Sequence, residues 1–125
     1  MRDIAFVFLL AAVLCVTAGM LWGIQMAISG DHLLAPAHAH LNLVGWATLA
    51  LFGLYYRLTP SAAQGLLPRL HAVLAIAGVV VLVPGIAIVV SGGTPAIAAV
   101  GSLLTLGSML TFLFTVMRYG FGARA

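Results

Sequence analysis

The sequence predicts an all-α membrane protein of four spanning helices, on its composition, on the length of its apolar runs and on where its arginines fall. Of 125 residues, 64% are hydrophobic and 6% charged, against about 25% charged in a typical soluble domain, and mean hydropathy is +1.24. The formal charges are five Arg and two Asp, with no Lys or Glu. So few charges cannot solvate an extramembrane domain of useful size. That excludes a soluble catalytic domain, a disordered tail and a nucleic-acid module, because the pI near 9.8 comes from scattered arginines rather than from a basic patch. Membrane lipids are the expected surroundings and no nucleic acid is an expected partner.

Crossing the hydrocarbon takes about 20 mostly apolar residues in a helix, and Gly, Pro and polar punctuation divides the chain, a single transmembrane domain over residues 1–125, into four such runs. They cover about 4–28, ended by Ser29-Gly30-Asp31; 38–58, ended by Thr59-Pro60; 68–90, ended by Ser91-Gly92-Gly93; and 95–117. Pro36, Pro68 and Pro95 lie before or in the first turn of a run, where a missing N–H costs nothing, whereas Pro84 lies inside the third and is predicted to kink it. The first run exceeds the apolar core of a signal peptide and ends in no small-residue cleavage box, so it reads as a retained helix. Cys15, the only cysteine, follows Leu14, which argues against lipidation, and reads as packing.

Orientation follows from charge. Arg2 precedes the first run, Arg57 and Arg69 flank the link between the second and third, and Arg118 and Arg124 follow the fourth. All fall on one side, which the positive-inside rule makes cytoplasmic, with both termini inside and the links at 29–37 and 91–94 outside. A bacterial inner membrane is the expected location. Trp22, Tyr55, Tyr56 and Tyr119 read as interfacial anchors, while Trp46 lies deeper and requires another role.

No carboxylate or lysine falls within a run, which argues against a proton pump or a charge-coupled transporter. The unusual polar groups are His32, His38, His40 and His71, with Gln25 and Asn42. His38-Ala39-His40 opens the second run. At about 100° per residue, two positions two apart lie roughly 200° apart on the helix, so the rings diverge and cannot chelate one metal; a single-helix chelate needs a spacing of three or four. Each histidine must face a different partner, or both face headgroups and water; spacing alone leaves these open. His38, Asn42, Gly45, Leu49 and Phe52 form one stripe and His40, Val44, Ala47 and Leu51 another, each with small residues that admit a flat ring or a close helix. Gly19-x-x-x-Gly23, Gly101, Ser102, Gly107 and Ser108 read as packing faces. His71, beside Arg69, is expected to face solvent or headgroups at the cytoplasmic side. His32 is expected to hydrogen-bond Asp31 or cap a helix, with a supporting role beside the outer histidines as the alternative; Asn42 is a second candidate for that role.

The stretch Ala37 to Pro60, AHAHLNLVGWATLALFGLYYRLTP, resembles a ligand-bearing helix of subunit I of the haem–copper oxidase and nitric oxide reductase superfamily, matching at His38, His40, Gly53, Tyr55, Tyr56 and Pro60. That subunit has twelve helices in three arcs of four, and its ligand histidines begin the second helix of an arc. The resemblance therefore implies that this chain is one arc and that three copies rebuild the body as a homotrimer. It further implies haem b at each interface, with His38 of one subunit and His40 of its neighbour as axial ligands to the iron. The family's copper site is not matched: the residues four beyond His38 and His40 are Asn42 and Val44, and no adjacent His pair exists. Dioxygen reduction and proton pumping are therefore not implied, and whether the protein is an enzyme stays open.

Three function classes follow. The first is a small membrane haem b protein that transfers electrons through a bis-His haem, exchanging with a quinone or a redox protein. The second is a non-redox assembly or structural subunit whose histidines only pack. The third is an outer-face copper- or zinc-binding membrane protein using His32, His38 and His40.

Overall fold

The computed structural model describes residues 2–123 and is helical throughout, with no strand among them; Arg124 lies outside the described residues. In order, the elements are α1 (Ile4–Ser29), α2 (Ala35–His40), a π-helical segment (Leu41–Thr48), α3 (Leu49–Leu58), a 3₁₀ turn (Pro60–Ala62), α4 (Leu66–Val90) and α5 (Ala96–Tyr119). Three of them, α1, α4 and α5, are long and apolar enough to cross a membrane. The second run is a composite in which α2, the π segment and α3 follow one another without a break from Ala35 to Leu58. It starts earlier than predicted, because Pro36 takes the first turn of α2 rather than preceding it.

Local chemistry sets the ends. Asp3 caps α1, its carboxylate accepting from the Phe6 N–H at 3.0 Å, and Gly30 closes it in the left-handed region at φ 71°, its N–H donating to the Met26 carbonyl. Pro84 does not end α4, which continues through it to Val90. α4 and α5 form a tight antiparallel hairpin because Gly101 lets α5 approach the Leu82 backbone and Gly85 lets α4 approach that of Ala98; a Cβ at either would meet backbone atoms. Ser108 is buried along the same seam, while Gly107 is only half-buried, with Leu74 4.0 Å from where a Cβ would lie, and Ser102 is exposed, so only part of the predicted small-residue face packs.

The π segment widens the composite helix where Gly45 meets α1. A Cβ on Gly45 would fall 2.9 Å from Cys15 Sγ, so Cys15 is packing, as its apolar setting predicted. Thr48 donates its hydroxyl to the Leu43 carbonyl five residues back at 2.8 Å, satisfying an acceptor in the widened turn. Trp46 lies on the outer side of this segment, 36% exposed.

The core gathers at one end of the bundle around Phe8, Leu49, Phe52, Tyr55, Tyr56 and Val79. Tyr55 and Tyr56 are thus core residues rather than interfacial anchors: packing against Phe8, Phe52 and Phe112 outweighs the draw of the headgroup region. The residues around Asp3 and around Gly120–Gly122 meet here. Arg57 pairs with Asp3 at 3.2 Å, Tyr55 donates to the Gly120 carbonyl at 2.7 Å, and the Gly122 N–H donates to Thr59 at 2.9 Å. Elsewhere α1 and α5 present long apolar side chains outward, Leu21 at 65% and Leu103 at 70% exposure, surfaces that only lipid or another subunit covers favourably.

Candidate functional site: two divergent histidines

His38 and His40 leave α2 in different directions, as their spacing predicted. His38 is half-buried and turns toward α1, where its ring enters the space left by the absent side chains of Gly19 and Gly23. Its Nε2 lies 2.8 Å from the Gly19 carbonyl. A carbonyl only accepts, so Nε2 carries the proton and the lone pair resides on Nδ1. The Trp22 ring meets the imidazole edge-on at 5.8 Å between centroids. Asn42, one turn on, brings its amide nitrogen to 3.4 Å from the same Nε2 and its oxygen against Gly19. The stripe from His38 through Asn42, Gly45, Leu49 and Phe52 is the face that turns inward.

His40 is exposed. Its Nδ1 donates to the Pro36 carbonyl at 2.8 Å, which fixes the tautomer, steadies the ring and leaves the Nε2 lone pair facing outward. Ligand histidines are usually held this way, with the second nitrogen tied to a carbonyl or carboxylate.

His32 makes no bond to Asp31. It is exposed, its Nδ1 donates to the Gly30 carbonyl at 3.1 Å, and the Asp31 carboxylate instead accepts from the Leu33 N–H at 3.0 Å, an Asx turn that outcompetes the neighbouring imidazole. The three outer histidines do not assemble a chelate: among the described residues no group of three His, Cys, Asp or Glu side chains could hold a metal ion.

The expectation for His71 is overturned. It is fully buried, boxed by Phe8, Phe52 and Phe112, with ring centroids at 5.0, 4.4 and 5.5 Å. Its Nδ1 is 2.8 Å from the Tyr56 hydroxyl, and its Nε2 has no partner among the described residues. The adjacent arginine suggested a solvated position, but Arg69 and His71 lie about 200° apart on α4, so one faces out and the other in. No sequence signal marked it, because Phe8, Phe52, Tyr56 and Phe112 lie on three different helices that only the fold brings together. Phe52 is roughly 20 Å along the composite helix from His38, so His71 is no part of the outer pair.

The test for haem is what the two rings offer. His40 fits an iron ligand as placed. His38 fits once its Nε2 leaves Gly19 and the proton passes to Nδ1, an exchange that gives up one hydrogen bond of about 1 kcal/mol. Compared with known proteins, the chain matches no family model, no curated protein and no solved structure.

Proposed function

We propose that the protein is a small haem b membrane protein that carries electrons. It is a four-span unit resembling one arc of oxidase subunit I, and it assembles as a homotrimer, with His40 of one subunit and His38 of the next holding haem at each interface. The observation that carries this reading is the divergence of the pair, with His40 exposed and its Nδ1 tied to Pro36, so that its Nε2 has no hydrogen-bond partner among the described residues. A haem so held supplies a one-electron couple whose potential responds to two imidazoles and to burial. The chain's part is to orient the rings. Pro36 fixes that of His40, while Gly19 holds that of His38 in reserve.

In this reading the composite helix is the fourth span, its length matching the hydrocarbon. The arginine end is cytoplasmic in a bacterial inner membrane, the exposed faces of α1 and α5 meet lipid and neighbouring subunits, and a quinone or a redox protein exchanges the electron. The test is the reduced-minus-oxidised absorption spectrum of detergent-purified protein from haem-replete cells, where a low-spin b-type difference is expected. A colourless preparation would reject the proposal and leave a packing or structural role.

A further inference from the structure

A cavity of about 700 Å³ opens where α1 begins, α3 ends and α4 begins, and Arg2, Asp3, Arg57 and Arg69 line it. Four of the seven formally charged side chains of the molecule therefore share one hollow. Its one carboxylate is already committed: Asp3 caps α1 and pairs with Arg57 at 3.2 Å. Among the described residues no other ion pair forms, so the lining carries an excess of positive charge.

The end of α4 adds to it. Gly65, which lines the same cavity, is the N-cap at φ 87°, and no side chain caps the helix. The positive end of the helix dipole thus stands at the edge of the hollow, with the Leu66 and Leu67 amides uncapped by a side chain. Arg69 lies in the first turn of α4, where a cation is disfavoured unless an anion stands between it and the helix end. Ile4 and Val7 form an apolar wall running down α1.

Guanidinium forks match the oxygens of a phosphate, a helix N-terminus favours the same anion, and the apolar wall suits a ligand with an acyl part. We infer that this cavity binds a phosphate-bearing anion, and that its source is the headgroup of an anionic phospholipid whose chain lies along α1. The inference is independent of haem.

Native mass spectrometry of the full chain, exchanged in detergent against phosphatidylglycerol or phosphatidylcholine, tests it. Phosphatidylglycerol should bind at least about tenfold more tightly, and the double substitution Arg2→Gln/Arg69→Gln should weaken it by about tenfold or more, the worth of a charge-assisted hydrogen bond. Arg118→Gln, which removes a charge outside the cavity, should leave binding unchanged. Circular dichroism checks the fold. Arg69→Lys, which keeps the charge and loses the fork, should weaken binding by a few fold without altering helicity. Glycerol 3-phosphate and inorganic phosphate, added without lipid, should bind at least about tenfold more weakly than phosphatidylglycerol; binding as tight as the lipid's would overturn the lipid source. Equal binding of the two lipids, or full retention of phosphatidylglycerol by the double variant, would overturn the site.

Discussion

His40 and His38 occupy opposite states of the same side chain. The first is tied back through Nδ1 and offers Nε2 outward; the second spends its Nε2 on Gly19 and stays within its own chain. Single substitutions to alanine at either position should abolish a bis-His spectrum, because every interface then lacks one ligand. His32→Ala is the sharper control, since His32 also ties Nδ1 to a backbone carbonyl but lies in the loop. Its spectrum should be unchanged, and loss of the low-spin bands would move the ligand from α2 to the loop. His71→Ala should also keep the spectrum while destabilising the fold by about 2–4 kcal/mol, the usual cost of emptying a packed core position, read as lowered thermal stability in detergent. Residue by residue, the diverging pair was legible because helix geometry alone fixes it. The burial of His71 was not: it depends on which face of α4 meets Phe8 and Phe52, and a run apolar all round does not announce its inner face.

At the scale of elements, the seam between α4 and α5 depends on backbone approach. Gly101→Ala should cost about 1–3 kcal/mol, because its Cβ would meet the Leu82 backbone, which has no side-chain freedom to yield. Gly107→Ala, with its nearest neighbour 4.0 Å away, should be neutral or stabilising by up to about 1 kcal/mol through helix propensity. Thermal unfolding of both in one detergent checks the contrast, and equal effects would show that the hairpin does not close as described. The three long apolar helices α1, α4 and α5 and most of their ends were legible from hydropathy, Pro and Gly. The π segment was not, because residues 41–48 carry no propensity that separates one helix type from another. It arises where Gly45 meets Cys15 across the packing with α1, a tertiary cause.

For the whole molecule, the gathering of Arg2, Arg57 and Arg69 at one end was readable from where the arginines fall along the chain, and the Asp3–Arg57 pair and the Gly122–Thr59 bond close that end. Cysteines placed at the exposed positions Ser91 and Ser61, in a Cys15→Ser background, should label from outside the cell only at 91; labelling at 61 would invert the topology. No face for a neighbouring subunit was legible, since surfaces that meet lipid and surfaces that meet another helix are alike apolar in a membrane. Native mass of the haem-loaded protein should give three chains. Ligation across the interface is decided by co-expressing His38→Ala and His40→Ala subunits: mixed trimers restore interfaces that join an intact His38 to an intact His40, so the low-spin spectrum absent from each variant alone should return in the mixture. No return despite demonstrated co-assembly would contradict haem held between subunits.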